Sequence, residues 1–513
     1  MYNKFYSMLL LSVLSYSTGY ANQDAIVDQS WQVIQSTARE AVVQIFSTTK
    51  NTNWFNPYVV GGHGSGTGTG FFINDEGYIA TCSHVVDQAI AVYIAIPALG
   101  KQRLKATVVS ICPQHDVALL RLDEKDLSLV RNVIGNVKCL QLGDSHNVQR
   151  GQSILSLGYP GRTIEIEQVK GTVGVISARL NRLFQYDATT NPGNSGGPVL
   201  NKQGEVIGIT KSQMTGEVQN SNFAIPIDTF KSLLPALYEN ELLRINNNGI
   251  IWTSATQETR YYFNCPESHG CLVCDVVESK PAALAGIKAH DIICCVDGYP
   301  VDNYGDIKAL GDGEKMRFDS YIDQQPIDTE VAIELYRDGV LLQLSMIINC
   351  EKSDSIVFKY PAYEKIEYEI FAGMIIMPLT KNYINACAKE RPTLQRYLTE
   401  HYNKGQRLVV TNVFSNSKIA HMQTIRFADT INSVNGECVT TLDDFRKALI
   451  KSVDTGVVVI KTTDEFMLTT DKALTVLSLY DSCKETVELS RMHQYPLSKT
   501  LIEIIKQVDS SLL

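Results

Sequence analysis

Residues 191–199 read NPGNSGGPV, and one serine, Ser195, stands there among three glycines, two asparagines and two prolines. Gly and Pro both weaken the interior of a helix or strand, so this is a tight, irregular turn that presents its serine. A serine hydroxyl is a poor nucleophile near neutral pH. It needs a base, a group to orient that base, and donors for the oxyanion that forms. Gly193 and the glycines after Ser195 let the backbone turn until amides converge, which builds an oxyanion hole from the N–H groups of Gly193 and Ser195. The base is His84, which GYIATCSHVVD delivers at the end of a strand; the orienting acid is Asp116, which opens the apolar strand of CPQHDVALLRL. His115 is a poorer choice, because adjacent strand residues face opposite ways. The chain order His, Asp, Ser is one of those in which this triad occurs. Gly193-x-Ser195-x-Gly197 also fits the nucleophile elbow of α/β-hydrolases. That fold needs a helix straight after the serine, however, and PVLNKQGEVIGI reads as a turn and a strand.

The elements around these residues are short strands. From about Ser65 to Leu237, runs such as GTGFFINDEGYIAT, AVYIAI, SILSLGYP and QVKGTVGVIS are apolar or β-branched and bounded by Gly, Pro, Asn or Asp. Many such strands at even spacing make an antiparallel barrel or sandwich. Ahead of them, QDAIVDQSWQVIQSTAREAVVQIF begins helically and NTNWFNPYVVGGHGSG reads as a loop. GSGTGTG lacks the Gly-Lys-Ser/Thr of a phosphate-cradling loop and leads into a strand, so it belongs to a barrel hairpin. Beyond residue 250 the chain repeats itself. Residues 272–310 and 408–449 share an apolar strand, a Ser before a small helix, Asp-x-Ile, Val-x-Gly or Val-Asn-Gly, and an Asp-containing segment ending Ala-Leu. Asp291 and Gly298 correspond to Asp429 and Gly436 at one offset, which implies two copies of a module of roughly 100 residues.

A length of 513 residues calls for several domains, and 44% hydrophobic with 20% charged residues is ordinary globular composition. A net charge of −9 gives no reason to expect a nucleic-acid partner. The N-terminus carries Lys4, an apolar run from Met8 to Leu14, then Gly19 and Ala21, the layout of a signal peptide cut after Ala21. The run is too short to span a bilayer and no later one is long enough, so the mature chain is expected to have no transmembrane segment. Twelve cysteines are scattered through apolar stretches. Cys265, Cys271 and Cys274 lack a second Cys or His pair, so buried thiols and no metal are expected.

Together, GSGTGTGFFINDEGYIATCSHVV, HDVALLRL, LGDSHNVQRGQSILSLGYP, KGTVGVIS and NPGNSGGPVLNKQGEVIGI resemble the HtrA/Deg family of serine proteases, and the repeats resemble its PDZ domains. The likeness covers nearly all of residues 60–460. It implies a mainly β architecture: a double six-stranded antiparallel barrel of chymotrypsin type over 22–240, PDZ domains over 250–350 and 366–465, and an extension over 466–513. It implies an ATP-independent endopeptidase with no cofactor, acting on unfolded or damaged polypeptides from the periplasm or cell envelope of a Gram-negative bacterium. His84 would be the general base, Asp116 its orienter and Ser195 the nucleophile. Thr189 and Thr190 would line the P1 pocket, and without an acid there a small or apolar residue is expected rather than Arg or Lys. Trp54, Phe55 and Tyr58 would contribute to a trimer-based homo-oligomer. In the first PDZ domain, Tyr262, Phe263 and Asn264 fall where a C-terminal carboxylate would be held, Asn tolerating the positive φ that Gly usually supplies. The second PDZ domain carries the insertion KNYINACAKERPTLQRYLTEHYNK and resembles the divergent module of plant-type Deg proteases, which serves assembly or regulation. A different class also fits the sequence: a peptide-binding chaperone or scaffold whose proteolysis is minor or ligand-switched.

Overall fold

The structure is a computed structural model that describes residues 30–161, 165–180, 183–211, 222–278, 280–309, 315–349, 356–399, 402–403, 405–463 and 472–513. The signal peptide expected at 1–21 lies outside the described residues. By its contacts the chain falls into two units, one of residues 1–49 and 64–350, the other of 50–63 and 351–513.

The first unit begins with a helical stretch over 30–38 and then builds two closed antiparallel barrels. In the first, β1 (Val42–Lys50), β2 (His63–Phe72), β3 (Tyr78–Thr81), β4 (Ala89–Ala95), β5 (Leu104–Cys112) and β6 (Val117–Leu122) run in the order β1-β2-β3-β6-β5-β4. The second takes β7 (Ser153–Gly158), β8 (Lys170–Leu180), β9 (Leu183–Tyr186), β10 (Pro198–Leu200), β11 (Val206–Lys211) and β12 (Asn222–Pro226) in the order β10-β11-β12-β9-β8-β7. Alternation sets the inward faces: at the start of β5, Leu104 and Ala106 are buried while Lys105 and Thr107 are exposed. Ile45, Phe71, Ile79, Ile94 and Leu120 fill the first barrel, and Ile154, Phe184, Tyr186, Val199 and Ile207 the second. The glycines of GSGTGTG serve this packing. A Cβ on Gly70 would sit 2.8 Å from Ile79 Cγ2 and 2.9 Å from Ile45 Cδ1, so the strand needs a bare backbone there.

The rest of this unit is a sheet in the order Ile250–Ser254, Cys271–Val276, Ile292–Val296, Glu330–Arg337, Val340–Ile347. In the second unit, Glu369–Phe371, Met374–Pro378, Leu408–Val413, Thr430–Val434, Val457–Thr463 and Lys472–Ser478 form the corresponding sheet. The repeat holds residue by residue. Asp297-Gly298 and Asn435-Gly436 both have two successive positive φ angles, 46° and 79° against 52° and 83°, the tight hairpin that Val-Asp-Gly and Val-Asn-Gly encode. The Asp291 carboxylate accepts the amide of Lys288, and the Asp429 carboxylate that of Arg426, at 2.8 Å each.

The second unit's sheet is covered on both faces. Met374, Ile376, Leu408 and Val410 face a core shared with Phe445, Leu449, Cys483, Leu501 and Ile505. The residues read as an extension after 465 therefore complete this module: Lys472–Ser478 joins its sheet, and the helices Leu479–His493 and Lys499–Asp509 close its core. On the other face the insertion's Tyr383, Ile384, Leu394 and Tyr397 pack with Val409, and residues 50–63 lie against them. Phe55 meets Tyr383 edge-on at 5.6 Å, Tyr58 lies 5.7 Å from Tyr495, and Trp54 joins the same cluster as Phe55. Thr411 Oγ1 donates to the Phe55 carbonyl at 3.0 Å. The three aromatics expected at a subunit contact thus pack within the chain, half-buried. No helix among the described residues is long and apolar enough to cross a membrane.

Candidate active site

His84 occupies a single 3-10 turn, Ser83–Val85, that follows β3. Asp116 lies across from it in the turn between β5 and β6, with φ at 57°, a left-handed conformation that Asp tolerates through its short polar side chain. That turn carries the acid back under the histidine. The Ser83 amide donates to the Asp116 carbonyl at 3.1 Å and the His84 amide to Asp116 Oδ1 at 3.0 Å. The imidazole Nδ1 is 2.9 Å from both carboxylate oxygens. Asp116 is 7% exposed whereas His84 is open to solvent, so the acid is sheltered and the base can reach a substrate.

The serine turn is clasped between the barrels. From the first, Thr69 of β2 gives its amide to the Ser195 carbonyl at 2.8 Å and its hydroxyl to the Gly193 carbonyl at 2.7 Å. From the second, Thr210 of β11 accepts from the Gly196 amide and donates to the Gly197 carbonyl, both at 2.8 Å. The glycines are required by this crowding. Gly193 (φ 103°) would bring a Cβ to 2.4 Å from the Tyr159 carbonyl oxygen, and Gly196 (φ 87°) to 2.1 Å from Thr69 O. The same Gly196 Cβ would lie 3.0 Å from the Cys82 amide, so the nucleophile's turn sits against the chain two residues before His84. With the carbonyls of Gly193, Asn194, Ser195 and Gly197 all accepting hydrogen bonds from protein donors, the turn is fixed before any substrate arrives.

Charge is arranged around the acid. Burial opposes ionisation of Asp116, but hydrogen bonds and charge from His84 and Lys211 hold its pKa below the usual carboxylate range. Lys211 Nζ is 3.1 Å from Asp116 Oδ2. Burial pushes Asp87, which also faces His84, up to about 6, and pushes the Cys82 thiol well above its ordinary value. Cys82 Sγ instead donates to the Thr210 carbonyl at 3.3 Å.

Thr189 is exposed and Thr190 half-buried at the approach to the serine turn. The Thr190 hydroxyl donates to Asn222 Oδ1, and Asn222 Nδ2 donates to the Ala188 carbonyl at 2.8 Å. Neither Lys211 nor Asn222 stood out in the sequence. The one available signal was their place at the end of β11 and the start of β12, the strands that follow the serine. Tyr262, Phe263 and Asn264 lie in no strand. Tyr262 ends the helix Gln257–Tyr262, Phe263 caps it and stacks on His290 at 5.4 Å, and six residues separate Asn264 from the strand at Cys271. Asn264 does have the expected positive φ, 54°. The edge strand on that side is Ile250–Ser254, and the loop leading into it is held by Asp323, whose carboxylate accepts from the Asn248 amide and from Asn248 Nδ2 at 2.9 Å each.

Residues 68–209 match the trypsin-like peptidase domain family, and residues 359–477 match the PDZ domain family. A probable periplasmic serine endoprotease, DegP-like, from Marinomonas sp. (strain MWYL1) is 25% identical over 77% of this chain and 76% of its own length. Its namesake from Pseudomonas putida (strain F1) is 32% identical over 49% of this chain and 52% of its own. The chain is thus similar to DegP-like serine endoproteases and carries matches to a trypsin-like peptidase domain and a PDZ domain. It spans about half the length of several other curated relatives that it matches. A solved HtrA-type protease, AlgW with a decapeptide, aligns at 22% identity over 62% of this chain and 98% of its own with a TM-score of 0.46, a likeness too loose to carry any argument. The two closed barrels and the His84–Asp116 pair stand on their own geometry.

Proposed function

We propose that this chain is a serine protease of HtrA/Deg type that hydrolyses internal peptide bonds of unfolded or damaged polypeptides, without ATP, as a quality-control enzyme outside the cytoplasm. The observation that carries the reading is the buried Asp116 carboxylate 2.9 Å from His84 Nδ1, beside a serine turn clasped to both barrels. With Nδ1–H directed at Asp116, the imidazole presents Nε2 as a base. It takes the Ser195 proton as Oγ attacks the scissile carbonyl, then returns it to the leaving amine. The Gly193 and Ser195 amides receive the oxyanion, and water repeats the sequence on the acyl-enzyme.

Thr189 and Thr190, with Asn222 behind them, offer hydroxyls and an amide rather than a carboxylate, which favours a small or apolar P1 side chain. Export rests on the N-terminal layout of residues 1–21 and on relatives named periplasmic. A C-terminal peptide would add to the edge strand Ile250–Ser254, its carboxylate taking the place that Asp323 now fills on Asn248. A trimer-based homo-oligomer rests on the family resemblance. The test is cleavage of reduced, unfolded casein by residues 22–513 beside Ser195→Ala. Fragmentation by the unsubstituted chain alone supports the proposal; equal cleavage by both removes Ser195 from the mechanism.

A further inference from the structure

We propose that Lys211 is a positioning residue of the triad, holding Asp116 through its second carboxylate oxygen and lowering the proton affinity of His84. This rests on the reading of the chain as a serine endopeptidase.

The geometry divides the Asp116 carboxylate between two claims. Oδ1 accepts from the His84 amide at 3.0 Å, Nδ1 of His84 is 2.9 Å from both oxygens, and Lys211 Nζ takes Oδ2 at 3.1 Å. Lys211 is the last residue of β11, and its neighbour Thr210 makes the two backbone hydrogen bonds that clasp the serine turn. One strand, paired to β12 through Thr210–Ala224 and Lys211–Phe223, therefore fixes both the turn that carries the nucleophile and the cation on the acid. Loss of the ammonium would leave Asp116 Oδ2 with His84 Nδ1 alone and relax that link.

The charge has a second consequence. An imidazole beside a lone carboxylate gains a proton readily, because the imidazolium meets a net negative charge. With Lys211 paired to the same carboxylate at 3.1 Å, an imidazolium on His84 meets a nearly neutral pair rather than a lone negative charge. The other groups facing the pair are Asp87, whose ionisation near 6 favours the imidazolium, and Cys82, whose buried thiol stays neutral. The Lys211 side chain is 31% exposed, so water attenuates its field, and the expected effect is about half to one pH unit.

The test measures two midpoints in the full chain. One is the acidic limb of kcat/KM on unfolded casein; the other is the titration of the downfield His84 Nδ1–H proton resonance in a Ser195→Ala background. Lys211→Met is expected to raise both by about half to one pH unit, and Lys211→Arg to restore them. A purely structural role would lower kcat/KM at every pH and leave the midpoints in place. Lys211→Gln keeps a hydrogen bond to Oδ2 without the charge and is expected to shift as Met does, which keeps the test open if the Met variant does not fold. Midpoints within about 0.2 unit of the parent in the uncharged variants, or an Arg variant displaced like Met, overturn the proposal. A parent chain that cuts nothing at any pH overturns the endopeptidase reading instead, and the resonance still decides the role of Lys211.

Discussion

Asp116→Asn puts an amide where both oxygens are already claimed by donors. Oδ1 faces the His84 backbone N–H at 3.0 Å and Oδ2 faces the Lys211 ammonium at 3.1 Å, with Nδ1 of His84 between them. Whichever way the Asn side chain flips, its NH2 meets one of these donors, and a buried polar group is left unsatisfied. Such a group costs about 1–3 kcal/mol, which for a domain of this size lowers the melting temperature by roughly 2–10 °C. The chemistry suffers more, because the amide no longer enforces the tautomer in which Nε2 is the base; a fall of about 10^3–10^4 in kcat is expected. Melting is followed by calorimetry in a Ser195→Ala background, and cleavage by the rate on unfolded casein. Adding Lys211→Met removes one donor, so the amide can turn toward the vacated side; stability recovers and activity does not. A single variant that melts within about 1 °C of its parent, or keeps activity within tenfold, would refute this account of how the acid is held.

Other outcomes follow from the same geometry. Although burial opposes its ionisation, Asp228 is held well below the usual carboxylate range by Lys231 and by the Ser145 hydroxyl and amide. Its folded pKa is thus lower than its unfolded one, so its contribution is present at neutral pH and fades as the pH falls below about 4. Asp228→Asn should flatten the loss of melting temperature in that range. Phe55→Ala removes a half-buried ring from Tyr383 and should destabilise the second unit by about 1–3 kcal/mol, read as an earlier transition in thermal unfolding. Asp323→Ala should tighten binding of a peptide with a free C-terminal carboxylate, and not of its C-terminal amide, in a fluorescence anisotropy titration; no difference between the two would exclude this loop as a carboxylate site.

The candidate site residues were legible because each sits in a local pattern of its own: a strand end for His84, a strand start for Asp116, which the structure pairs with it, and a glycine-rich turn for Ser195. The repeat was legible too, since Asp291 and Asp429 share both a motif and a hydrogen bond to the residue three before. What the sequence hid were pairings across long separations. Nothing local marks Lys211 as the partner of an acid 95 residues earlier, or Asn222 as the anchor of Thr190. The edge strand Ile250–Ser254 escaped notice because it is only five residues long and carries Trp252 and Thr253 among its aliphatics, whereas RYYFNCPESHG reads as the loop before the first clear strand. The aromatics of residues 50–63 were visible as apolar, but their partners Tyr383 and Tyr495 lie more than 300 residues on.

The central claim is that Ser195 is activated by the His84–Asp116 pair. It is tested most directly by reacting the chain with a fluorophosphonate, which bonds only to an activated serine, and locating the adduct by peptide mass spectrometry. One adduct is expected, on Ser195, lost in His84→Ala and strongly slowed in Asp116→Asn. An adduct on another serine, or undiminished labelling of Ser195 without His84, would contradict it.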